Sequence, residues 1–228
     1  ILLDELANLD IENKEKKEPY KETDELGGFD PYSTSKACAE LAISSYKNAF
    51  YSHQGKKIAS VRGGNVIGGG DWSKNRLFPD CVKYLQKKEP IPIRNPSAIR
   101  PWQHVLDLLD GYLFVGANLL KDKDEFAQAW NFAPEKEDCI KVNELADLMI
   151  KYSGKGSWTD TSNPNENMKE TCTLLLENSS IKKQGWSPLL NINETVKWSI
   201  DWYNQALTND IYTLCSDQIN NYSTKKSL

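Results

Sequence analysis

Ile58-Ala59-Ser60-Val61 runs directly into Arg62-Gly63-Gly64-Asn65-Val66-Ile67-Gly68-Gly69-Gly70, and this stretch decides the fold. A short apolar run that delivers the chain into dense glycine is the pattern of a buried strand ending in a loop, and glycine lets other atoms approach the backbone closely. A ligand-binding loop is therefore expected at 63–70. Upstream, Asp30 precedes Pro31, and neither Gly nor Pro interrupts the chain from Tyr32 to about Tyr51. An Asp N-cap and a Pro in the first turn mark a helix start, so a long helix is expected there. Downstream, apolar spacing predicts helices at 76–88, 104–121, 142–153 and 193–207, with short strands near 91–93, 129–133 and 173–176. Alternating helices and strands make this an α/β chain.

The two ends read differently. Leu2, Leu3, Leu6 and Leu9 have helical spacing, and the charge-rich stretch from Glu12 to Glu25 reads as a loop. A dinucleotide-binding fold starts with a strand, a tight glycine turn and a helix whose N-terminus holds the pyrophosphate. No glycine precedes Gly27, so the sequence is expected to begin part-way through a larger fold. The polar stretch after Cys215 is expected to fray.

Composition narrows the functional classes. A length of 228 residues with seven Trp, ten Tyr and six Phe is enough for a substantial core. The net charge of -4 argues against a nucleic-acid binder, which needs clustered Lys and Arg. No apolar run approaches the roughly 20 residues that span a bilayer, and the N-terminus lacks a secretory pattern, so the expected location is cytoplasmic with no membrane partner. The five cysteines are dispersed and never spaced C-x-x-C, which reads as reduced structural thiols. His53 and His104 are the only histidines, which excludes a His-rich metal centre; no metal site is expected.

Tyr32 and Lys36 stand four apart on the expected helix, so they share a face and can act on one site. A neighbouring ammonium favours tyrosinate and prepares a phenol for general-base work. The spacing alone is not specific: Tyr84/Lys88 and Tyr222/Lys226 repeat it, and there it reads as ordinary surface helix or tail. Asp107 and Asp110 read as a solvated or capping face, and the tryptophans as core or interface.

Asp30 to Glu40, then the long helix, the buried strand and Arg62 to Gly68 form an ordered set that resembles the extended short-chain dehydrogenases/reductases. Gly68-Gly69-Gly70-Asp71-Trp72, Arg76 to Val82, Ile93-Arg94-Asn95-Pro96 and Ile99 to Val105 are similar to the CDP-glucose 4,6-dehydratases within that group, and the likeness runs from about Glu12 to Tyr222. The resemblance implies a Rossmann-like parallel sheet truncated of its N-terminal dinucleotide-binding half, plus a smaller C-terminal substrate-binding domain. The expected division is 1–62 as the remnant carrying the Tyr-x-x-x-Lys helix, 63–215 as mainly substrate-binding with segments returning to the sheet, and 216–228 as the tail. It implies NAD as cofactor, a nucleotide-sugar substrate such as CDP-glucose, and a possible homodimer. Tyr32 would be the base at the sugar 4-hydroxyl, and Lys36 would hold the nicotinamide ribose. The product would be a 4-keto-6-deoxy sugar nucleotide; a related epimerase is the alternative activity.

Further candidates follow from the same likeness. Asn65 reads either as a diphosphate or sugar contact or as a turn residue. Arg94 and Arg100, in proline-flanked segments, are candidates for the diphosphate, since a guanidinium fork matches phosphate oxygens. His104 reads equally as a ligand contact or as the cap of the following helix, and Leu77, Phe78 and Pro79 as pocket lining or core. One departure stands out: Leu6-Ala7-Asn8-Leu9 aligns with a segment of the Thr/Ser-Asp-Lys type that supplies a polarising hydroxyl and an acid. An amide and aliphatic chains cannot replace them, so the elimination step is expected to be compromised. A chain that binds a nucleotide sugar without turning it over is the corresponding alternative.

Overall fold

The computed structural model describes residues 18–28, 30–163 and 173–227. The segment Ile1 to Asp10, including Leu6-Ala7-Asn8-Leu9, lies outside the described residues.

Helix α1 spans Pro31–Tyr46 and continues through a π-type turn at Lys47–Tyr51, as the uninterrupted sequence predicts. Its start is fixed by Asp30, whose carboxylate accepts the N–H groups of Tyr32 (2.9 Å) and Ser33 (3.1 Å). The chain then forms β1 (Ser60–Gly63), β2 (Asn65–Ile67), α2 (Leu77–Lys87), β3 (Ile91–Ile93), β4 (Ile99–Arg100), β5 (Trp102–His104) and α3 (Val105–Leu120). It continues with β6 (Ala129–Phe132), β7 (Ile140–Lys141), α4 (Val142–Ser153), β8 (Trp158–Asp160), α5 (Ser179–Lys183), α6 (Ile192–Gln205) and α7 (Ile211–Lys226).

The strands pair two by two. β1 with β6, β2 with β5 and β3 with β8 are parallel; β4 with β7 is antiparallel. Parallel partners need a long crossover, and α3 supplies one between β1 and β6. Every residue of β1 is buried, as expected for a strand covered on both faces. Two cores result. Val61, Trp130 and Phe132 of β1 and β6 pack with Leu108, Tyr112 and Val115 of α3. Around β3 and β5, Phe78, Val82, Leu145, Met149, Val196, Ile200 and Trp202 join α2, α4 and α6. No helix among the described residues is long and apolar enough to cross a membrane.

Three expectations need correction. The glycine-dense stretch is not wholly a loop, because β2 lies inside it. Its glycines make room for protein atoms: a Cβ on Gly64 would sit 2.5 Å from the Pro101 carbonyl oxygen, and one on Gly69 would sit 2.0 Å from Trp202. The strand expected at 173–176 is reduced to single bridges, Thr173 with Ile99 and Leu176 with Tyr20.

The third concerns the C-terminus, where the frayed tail expected at 216–228 is instead helix α7 through Lys226. Leu214 and Tyr222 are buried there, and the Tyr222 hydroxyl donates to Asp107 at 2.7 Å. Asp107 is therefore no solvated residue: it is fully buried and also accepts the N–H groups of Leu189 (2.9 Å) and Leu190 (3.3 Å). Polar composition hid this anchor, because only Leu214 and Tyr222 are buried and the rest of the hold is polar: Gln218 donates to the Trp198 carbonyl at 2.9 Å, and Lys225 and Lys226 pair with Glu194 and Asp110.

Candidate functional site

A cavity of about 580 Å³ opens between α2, β3 and the strand ends. Asn65 from β2, Leu77 from α2, Arg94 after β3 and Arg100 from β4 all line it. Four of the residues singled out from sequence are thus brought together from four separate elements. Asn65 is extended and stands in register with Trp102 across the β2–β5 pair, so the strand presents it and the turn reading falls away. Arg94 is exposed and Arg100 half-buried, with one Arg100 guanidinium nitrogen donating to the Ile99 carbonyl at 2.9 Å. Two guanidinium groups with an asparagine amide form a donor set suited to a diphosphate.

The sequence reading missed several walls of the cavity: Asn75, Asp80, Cys81, Tyr84, Trp102 and Thr161. A signal existed for three of them. Leu77, Asp80, Cys81 and Tyr84 follow i, i+3, i+4, i+7 spacing, so placing Leu77 at a pocket places one whole face of α2 there. Tyr84 is accordingly a lining residue and not ordinary surface. Asn75 shows itself by its left-handed backbone, φ 63°, just before α2 begins. Burial pushes the Cys81 thiol up to about 12, so it is an inert wall and no nucleophile. Phe78 and Pro79 face the core.

Tyr32 and Lys36 do share a face: the Lys36 ammonium lies 5.3 Å from the centroid of the Tyr32 ring. Tyr32 is 49% exposed, open to a ligand and not sealed in an apolar interior. Neither residue lines the 580 Å³ cavity. Asp30, at the foot of the same helix, is held below the usual carboxylate range by the Ser33 hydroxyl and the Ser33 N–H.

His104 is corrected from ligand contact to cap. It is completely buried, its Nδ1 accepts the Leu106 N–H at 3.2 Å, and it is absent from the cavity wall. Its ring meets Trp198 edge-on with centroids 6.0 Å apart, and burial pulls its pKa down to about 4, so it is neutral near pH 7.

The family model described as the NAD dependent epimerase/dehydratase family matches residues 12–129. The CDP-glucose 4,6-dehydratase of Salmonella typhimurium is 39% identical over 90% of this chain and 58% of the relative. Among solved structures, an epimerase from Methanothermobacter thermautotrophicus superposes with a TM-score of 0.76 at 18% identity, covering 90% of this chain and 59% of that one. The dTDP-glucose 4,6-dehydratase of Bacillus anthracis, in complex with NAD, gives 0.68 at 18% identity over 83% and 57%. The chain thus spans less than two thirds of the length of these relatives, with which it shares a Rossmann-like α/β fold. On the match over 12–129, which carries α1, β1, β2 and the strands that frame the cavity, the chain belongs to the NAD-dependent epimerase/dehydratase family.

Proposed function

We propose that this chain is the substrate-binding part of a nucleotide-sugar 4,6-dehydratase that converts CDP-glucose to CDP-4-keto-6-deoxyglucose and water. One observation carries the reading: Asn65, Arg94 and Arg100 meet in a single cavity although 35 residues separate the first from the last. The two guanidinium groups neutralise the diphosphate, while Tyr84 and Trp102 provide aromatic wall for the rest of the nucleotide. The similarity to the Salmonella enzyme supports cytidine as the base.

Tyr32 and Lys36 serve the sugar end. Tyr32 Oη takes the proton of the 4-hydroxyl, and the Lys36 ammonium favours the phenolate that does so. An exposed phenol beside an ammonium also fits the ribose and nicotinamide end of NAD, which Lys36 would hold by donating to ribose hydroxyls. When bound, NAD supplies the site with a hydride acceptor that returns the hydride later in the same turnover. In this reading 1–62 is the remnant of the dinucleotide-binding domain and 63–215 is mainly substrate-binding with segments returning to the sheet, a return supported by the packing of Leu108, Trp130 and Phe132 with Ala59 and Val61 in one core. A cytoplasmic setting without a nucleic-acid partner goes with it, supported by the unpaired thiols of the four described cysteines and the net charge of -4. A homodimer is supported by Leu41, Tyr46 and Phe50, all more than half exposed along α1 and its extension.

Calorimetry with CDP-glucose in the absence of NAD tests the binding half: no heat of binding overturns it. An assay for the 4-keto product with NAD present tests the chemistry. The second reading, binding without turnover, is favoured by Leu6-Ala7-Asn8-Leu9 and would show binding with no product.

A further inference from the structure

We propose that Glu40 is a positioning residue: its buried pair with Arg62 sets the helix that carries Tyr32 and Lys36 against the strand that delivers Asn65. The proposal rests on the dehydratase reading for what the two halves do. The geometry itself is independent of that reading.

Glu40 and Arg62 are 6% and 3% exposed, and Arg62 Nε donates to Glu40 Oε1 at 2.9 Å. The other carboxylate oxygen accepts the Ser60 hydroxyl at 3.0 Å. Ser60 and Arg62 are two apart on β1 and so face the same way, towards α1, while Val61 between them turns into the core. Two bonds from one carboxylate to two points along a strand fix both the height and the rotation of the helix.

Among the described residues, two other side-chain bonds tie α1 and its extension to the rest of the chain, from the Thr34 hydroxyl to the Gly28 carbonyl at 3.2 Å and from the Lys47 ammonium to the Ala127 carbonyl. The buried side chains of α1 are Ser33, Ala37 and Glu40, of which the first two are small and offer slight apolar contact. Tyr32, Lys36 and Glu40 follow one another at four-residue steps, so a rotation about the axis moves all three together. Arg62 is braced from the far side, since its Nη1 donates to the Glu22 carbonyl at 3.4 Å and the Glu22 carboxylate accepts the Asn131 N–H of β6 at 3.0 Å. Three residues after Arg62 the chain places Asn65 in the cavity wall. A buried ion pair is weak evidence for stability, since apolar residues of similar size often serve as well. What apolar residues cannot reproduce is direction.

The test is Glu40→Leu combined with Arg62→Leu, which removes both charges and leaves none uncompensated. Two quantities are read on the full chain: the placement of α1, from crystal structures of parent and variant superposed on β1 and β6, and the affinity for CDP. The expected result is a folded protein with CDP affinity within about twofold of the parent and an α1 turned or shifted on β1, carrying Tyr32 and Lys36 with it as one body. A folded double variant whose α1 lies as in the parent overturns the proposal. If the double variant does not fold, Ser60→Ala decides, because it removes one of the two bonds and no charge: a displaced α1 supports the proposal, and an α1 placed as in the parent overturns it. Failure of the parent to bind CDP would count against the dehydratase reading alone, since the placement of α1 needs no ligand.

Discussion

At the scale of single residues, the cavity arginines and the buried histidine make opposite kinds of prediction. Arg94 and Arg100 meet solvent at the cavity, so their loss acts on binding and not on folding. Arg100→Ala is expected to weaken CDP-glucose binding by about 10–100-fold, the worth of a charge-assisted hydrogen bond, and to flatten the dependence of affinity on salt. Calorimetry at two ionic strengths reads both effects, and unchanged affinity would remove Arg100 from the site. His104 acts on stability. Its folded pKa of about 4 lies below the ordinary 6.5, so the unfolded chain binds more protons between these values, and stability falls as pH drops from about 6.5 to 4. The loss is on the order of 3 kcal/mol if the group titrates alone. Asn is also an N-cap but does not titrate, so His104→Asn should reduce this slope in urea denaturation measured across that range. Tyr32, Lys36, Asn65, Arg94 and Arg100 were legible in the sequence as candidates because each is set in a recognisable local pattern. The roles of Asp107 and Tyr222 were not, because 114 positions lie between them and the hydrogen bond that joins them exists only in the fold.

At the scale of elements, the helices were the most legible part. α2, α3, α4 and α6 each begin and end within two residues of the positions that spacing predicts, because a 3.6-residue apolar period is a local property. α7 was missed although its start carries a signal: Asp210 accepts the Thr213 N–H at 2.8 Å as an N-cap. Its hold on the body is polar as well as apolar, so Tyr222→Phe is expected to lower unfolding free energy by about 1–3 kcal/mol, the value of a hydrogen bond to a charged acceptor. Chemical denaturation checks this, and an unaltered midpoint would mean that Asp107 is satisfied by the two backbone amides alone. Strands β2, β5 and β8 were hidden as well: β3 is just as short, but Ile91-Pro92-Ile93 alternates two buried apolar residues, whereas β2 lies in dense glycine and β5 and β8 each set a single Trp beside polar residues.

For the whole molecule, ligand binding and association are the observables. A ligand that binds only the folded chain stabilises it by about 2.7 kcal/mol at 100 times its dissociation constant, so CDP-glucose without NAD should raise the thermal midpoint, and Arg100→Ala should abolish the rise at the same concentration. Sedimentation of the parent beside Leu41→Lys/Phe50→Glu tests the homodimer: a dimer that becomes a monomer is expected, and a parent already monomeric refutes that assignment. By itself the sequence determined the α/β class, the main helices, the Tyr32–Lys36 pair and the family likeness, because all of these are written in residues close together along the chain. Only the tertiary structure decided that the glycines at 64 and 69 make room for Pro101 and Trp202, that the polar C-terminal stretch is an anchored helix, and that His104 is a cap. It also decided that Asn65, Arg94 and Arg100 share one cavity that Tyr32 and Lys36 do not line. Those outcomes depend on which distant atoms come within a few ångströms of one another, and no local pattern of residue types encodes that distance.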